Sequence, residues 1–429
     1  MTRPTSRPAS SFLSRRGALL GLGAAALGVS AARAQSTSMS GMHMGHAASG
    51  ASPYAMLGHG ECTAAGLACA DAATPCVLPD GTLWLAWSGA GAIWASRSSD
   101  GGRHFDDAIE LARHGGTLDI GPDARPQIVA TPDGKLMVAY AYFADDQWNA
   151  RVSVVSSVDG GRTFSKPQPL TQASSSQRFP TLAVDGRGRV FAAWVDKRLV
   201  DEDAKRGVKR DGASIAFAWA PGIGQPFGAD AIAQPSSCEC CRIAVALRPD
   251  GRPVLLDRAL LPGSIRDHVC QPFADEHTPG TARLVADDHW VSHVCPHHGP
   301  AIALADSGAV HAAWFTQGST RAGVFHASSR DGGVRFDAPR AVAPVARSPG
   351  RPTLLAIGRS AWLGWKEFDG TRASIRMRRS NDDGRTWSDA RAIASAAGYT
   401  DHPLFVARAG RPCASWLTRE DGYRLIELG

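Results

Sequence analysis

Apolar residues along this chain fall in short runs of strand length, each closed by a turn. One such run opens at Pro75, Pro126, Pro180, Arg242, Pro300, Pro352 and Pro403, at steps of 51, 54, 62, 58, 52 and 51 residues. Some 12 to 15 residues after each opening, a second apolar run ends in Trp87, Tyr140, Trp194, Asp257, Trp314, Trp365 and Trp416. Turns such as Pro79-Asp80-Gly81, Pro132-Asp133-Gly134 and Pro249-Asp250-Gly251 join the two. Seven matched strand pairs at a period near 50 predict an all-β fold, a seven-bladed β-propeller of four-stranded blades. The last repeat stops one strand short at Gly429. A strand drawn from residues 55–72 would complete it and close the ring without a free edge.

Four segments also share the pattern Ser-x-Asp-x-Gly-x-x-aromatic: Ser98 to Phe105, Ser157 to Phe164, Ser329 to Phe336 and Ser380 to Trp387. The side chains of Asp100, Asp159, Asp331 and Asp382 can fold back onto backbone N–H groups, while glycine takes the left-handed position of a tight hairpin. This resembles the Asp box of the sialidase (BNR-repeat) superfamily, which lies between the two outer strands of a propeller blade. The resemblance covers nearly all of residues 70–429. Sialidases offer six blades as the alternative count; the seven strand pairs favour seven.

Composition adds a compartment. Residues 1–34 carry five arginines and no acid, so the formal charge of +6 leaves the remainder near +1. Such a balance gives no electrostatic case for nucleic acid. The twin arginine Arg15-Arg16, a short Gly/Ala-rich apolar stretch and Ala32-Arg33-Ala34 predict a twin-arginine signal peptide over 1–34. A periplasmic or secreted protein with no membrane span after cleavage is expected. Residues 35–54 read as a flexible Met/His-rich segment and 55–429 as a single propeller domain, expected to be monomeric.

Two motifs break the repeat. Blade 4 opens with Cys238-Glu239-Cys240-Cys241-Arg242 and blade 5 with Cys295-Pro296-His297-His298-Gly299. Both precede an innermost strand, so repeat phase should bring them together at the mouth of the channel. Cys238, Cys240, Cys241, Cys295, His297 and His298 form a donor set for copper or zinc. A disulfide from Cys238 or Cys240 to Cys295 is the competing use of the same thiols. Neighbouring side chains in extended backbone face opposite ways. Either Cys238 with Cys240, or Cys241 alone, is therefore expected to join the blade 5 ligands. His268, Cys270 and His293 are further candidates as ligands or supporting groups.

Met39, Met42, His43, Met44 and His46 crowd thioethers and imidazoles into one short stretch. That run resembles the tails with which periplasmic copper-handling proteins collect copper, and it favours copper over zinc. Other metal-handling proteins of that compartment are the implied partners. Cys62, Cys69, Cys76 and Cys413 read as structural, with Cys76 and Cys413 a candidate pair if the ring closes. The charged insertion Asp201 to Arg206 reads as a solvated loop.

The sialidase resemblance carries a second functional reading. It implies a carboxylate held by arginines and a tyrosine nucleophile activated by a glutamate, with an aspartate as acid/base. Repeat phase places Arg125, Arg178, Arg242 and Arg351 near the mouth, with Asp123, Glu239, Tyr399, Asp401 and His402. Tyr399 would be the nucleophile and Glu239 its base. The Phe/Tyr-Arg-Ile-Pro segment of sialidases is missing: blade 1 opens with Ala73-Thr74-Pro75. Metal binding without catalysis is the preferred reading, and a metal-dependent oxidoreductase is a further possibility.

Overall fold

The computed structural model describes residues 66–429. The predicted leader and Met/His-rich segment lie outside them, as does the first part of the proposed closing strand. The described chain folds as a seven-bladed β-propeller of antiparallel sheets, six of four strands and one of three. The innermost strands are Ala70–Val77, Gln127–Ala130, Gln177–Val184, Ala244–Leu247, Ala301–Leu304, Gly350–Ile357 and Leu404–Arg408. Each contacts the next, and the seventh contacts the first, so the ring is closed.

The second strands supply the core between blades. Trp87, Tyr140, Trp194, Trp314, Trp365 and Trp416 occupy equivalent positions there, each 2% exposed or less. A buried indole needs a partner for its N–H. Trp194 and Trp365 donate to the acid two residues on, Asp196 at 2.9 Å and Glu367 at 2.8 Å. Asp257 holds the same position in blade 4.

The four Asp boxes lie on the hairpins between the two outer strands of blades 1, 2, 5 and 6. In each, serine donates to aspartate at 2.8 Å, and the aspartate accepts backbone N–H groups. These bonds favour the carboxylate and hold Asp100 well below the usual range, chiefly through the His104 N–H. The second glycine of the box also packs against the preceding blade. A Cβ on Gly161, at φ +84°, would stand 2.2 Å from the Trp84 ring. That position therefore requires glycine for both its backbone and its neighbour.

Three expectations are corrected. Residues 70–72 belong to the inner strand of blade 1, and blade 7 has three strands among the described residues. The charged insertion is helical: Arg198–Lys205 forms an α-helix, and Asp203 turns inward to Arg206 and Arg210. Cys76 and Cys413 do not pair; both are free thiols, and Cys413 lies on the second strand of blade 7. Cys69 is disulfide-bonded, with its partner outside the described residues.

Candidate metal centre

The two aberrant motifs meet, as their repeat phase requires. Cys238 to Cys241 connects the outer strand of blade 3, Ala231–Ser237, to the inner strand of blade 4. It turns instead of running extended, so the expected alternation of side chains fails. All three sulfurs converge: Cys238 Sγ lies 3.3 Å from Cys240 Sγ and 3.7 Å from Cys241 Sγ. Cys240 alone reaches across to blade 5. Its sulfur, Cys295 Sγ and a ring nitrogen of His297 lie within 4.8 Å of one another, as do the sulfurs of Cys238, Cys240 and Cys241. All four cysteines are free thiols; the blade 4 trio is buried and Cys295 is exposed.

A glycine makes the meeting possible. A Cβ on Gly299 would stand 2.7 Å from the backbone oxygen of Arg242, directly after the cysteine turn. Asp123 ties the two sides together from blade 2. It accepts the Gly299 N–H at 3.0 Å and Arg242 Nη1 at 2.7 Å.

Two arginines that sequence reasoning missed complete the site. Arg266 Nη1 donates to Cys238 Sγ at 2.9 Å, and its Nε donates to Ser292 O. Sulfur–sulfur hydrogen bonds with Cys240 and Cys241, aided by the Arg266 charge, hold the Cys238 thiol well below its ordinary range. Cys295 is lowered by the Cys240 thiol, and Cys240 is raised as the shared donor. Arg258, 1% exposed, donates to the backbone oxygens of Arg266, His298 and Phe315 and lies over the Trp290 ring. Nothing in the spacing marks these residues beyond their place in the blade that lost its Asp box.

The remaining candidates stand apart from the two donor groups. His298 leans on Phe315, with ring centroids 4.4 Å apart, and burial pushes its pKa down to about 3. His268 is buried near Trp314, and neither ring nitrogen has a hydrogen-bond partner. Cys270 packs in the apolar layer between blades 4 and 5, and His293 is exposed. Asp257 is 1% exposed and accepts from Ser237 Oγ at 2.7 Å. Burial, reinforced by Cys241, pushes its carboxyl up to about 7.

The residues of the sialidase reading are engaged elsewhere. Arg125 is buried against Asp401 and His402. Arg178 makes two 2.7 Å bonds to Asp119, and Arg242 is held by Asp123. Glu239 pairs with Lys197 at 2.6 Å, whereas the Tyr399 hydroxyl donates to Asp71 O. Burial, with Asp401 adding, raises the Tyr399 pKa far above its ordinary value. In this arrangement Tyr399 and Glu239 are each bonded to another residue. Arg351, half-buried at φ +49°, has an Nε with no hydrogen-bond partner.

No protein-family model and no curated protein sequence matches the chain. Solved structures do. The BP39L lectin from Burkholderia pseudomallei superposes with a TM-score of 0.56 at 10% identity, over 84% of this chain and 99% of that one. A PL25 ulvan lyase gives 0.54 at 10% identity, over 85% and 96%. Hadza microbial sialidase Hz136 gives 0.47 at 12% identity, over 81% and 76%. The first two establish a shared propeller fold, which hosts unrelated functions. Among the described residues, no helix is long and apolar enough to cross a membrane.

Proposed function

We propose that this propeller is an exported metal-binding protein that holds copper, as Cu(I), at the Cys/His cluster between blades 4 and 5. The observation that carries the reading is the place of Cys240, whose sulfur belongs to both donor groups. Thiolates with an imidazole suit soft and borderline ions, Cu(I) and Zn(II) first. The Met/His run from Met39 to His46 favours copper, because thioether is a poor zinc ligand. The twin-arginine leader supports a periplasmic setting, where delivery to or receipt from another metal-handling protein is the natural use of a surface-open thiolate site.

Cysteine and histidine would do the binding, and the surrounding residues would orient them. Arg266 favours the charged form of Cys238. Arg258 and Asp123 fix the two loops, so little ordering entropy remains for the metal to offset. Metal analysis of protein purified from the periplasm, with thiols counted before and after reduction, tests this. Copper retained alongside four protected thiols supports the reading. Metal-free protein whose Cys295 thiol appears only after reduction would assign the cluster to a disulfide.

A further inference from the structure

We propose that the cluster holds two ions, with the Cys240 sulfur bridging them. This rests on the metal reading above and adds the number and arrangement of the ions. Donors on one ion, with metal–sulfur bonds of about 2.3 Å and metal–nitrogen bonds of about 2.0 Å, cannot lie more than about 4.6 Å apart. The five donors exceed that span as a set. They divide into two groups, each compact to within 4.8 Å, and no group contains all five. Cys240 is common to both.

The two centres have different surroundings. The inner one, formed by Cys238, Cys240 and Cys241, is buried and receives the Arg266 guanidinium at 2.9 Å. The outer one ends on exposed Cys295 and half-buried His297. His297 sits at φ +51°, a left-handed conformation costly for a residue with a Cβ. This tight bend lets a donor two residues beyond Cys295 reach the same point. An ion from solvent thus meets the outer centre first, and the inner centre is the retaining one. Loading is ligand exchange without electron transfer: each thiol that becomes a ligand releases one proton, and the bridging sulfur uses a second lone pair.

Native mass spectrometry of the mature full-length protein, loaded anaerobically with acetonitrile-complexed Cu(I) under a competing Cu(I) chelator, counts the ions. Removing the outer donors with Cys295→Ser and His297→Ala should lower the count by one. Adding Cys238→Ser and Cys241→Ser should lower it by one more, with circular dichroism unchanged. A total loss of one ion would overturn the two-centre arrangement and leave the metal reading standing. No loss at all would end both. Copper-edge X-ray absorption on unmutated protein gives an answer independent of variant folding. A metal–metal scattering path should be present, and sulfur and nitrogen shells without one would overturn the proposal.

Discussion

Asp257 stands in blade 4 where Trp314 stands in blade 5: both are fully buried at the same place on the second strand. One aligns a carboxyl with the cysteine turn, and the other fills the space between blades with an indole. Exchanging the largest apolar side chain for a small acid gives up packing, and it costs more once the acid ionises.

That cost is measurable. The folded pKa of Asp257, about 7, exceeds the unfolded value of about 3.9. The folded state therefore holds the proton more tightly. The associated stability is fully present below pH 4 and is lost as pH rises through 7, at most on the order of 4 kcal/mol. In metal-free protein, Asp257→Asn should be more stable than wild type at pH 8 and indistinguishable at pH 4 by urea denaturation. Parallel pH profiles would contradict this.

His311 and His326 carry the opposite sign. Their facing nitrogens lie 3.3 Å apart, and burial, the larger cause, lowers His311 to about 4. Stability from keeping the pair neutral is present above the unfolded value of about 6.5. It is lost as pH falls toward 4, at most on the order of 3 kcal/mol for His311. His311→Gln should flatten the acid limb of the denaturation midpoint, and an unchanged limb would refute the assignment.

Much of this was legible in the sequence because propeller repeats write their phase into it. Pro75 to Pro403 and Trp87 to Trp416 placed the strands, and that phase alone brought Cys240 to Cys295 and His297. What failed was local. Cys238 to Cys241 reads as extended backbone, whereas a turn points all three sulfurs together. His298 beside His297 looks equivalent, yet it packs on Phe315. Arg258 and Arg266 act through backbone carbonyls and a sulfur from distant segments, contacts that leave no periodic trace.

Gly299 is where the two motifs touch. With a Cβ 2.7 Å from Arg242 O and 2.2 Å from Arg242 Cγ, Gly299→Val must push the blade 5 loop outward. A stability loss of about 1–3 kcal/mol is expected from the overpacking. Copper bound through Cys295 and His297 should fall with it. Full copper content together with a normal melting temperature would show that the loops need not be so close.

The sialidase reading has its own test. Tyr399 and Glu239 are bonded to different partners, so a fluorogenic sialoside should be released no faster than background. Turnover abolished by Tyr399→Phe would favour that reading over metal binding.

Copper content of wild type beside Cys240→Ser tests the central claim most directly, because this sulfur alone belongs to both donor groups. Both proteins would be purified anaerobically from the periplasm and passed over the same Cu(I) chelator before elemental analysis. Wild type should keep its copper and the variant should lose it, with the propeller intact by circular dichroism. Equal copper in the two would place the metal elsewhere and contradict the account.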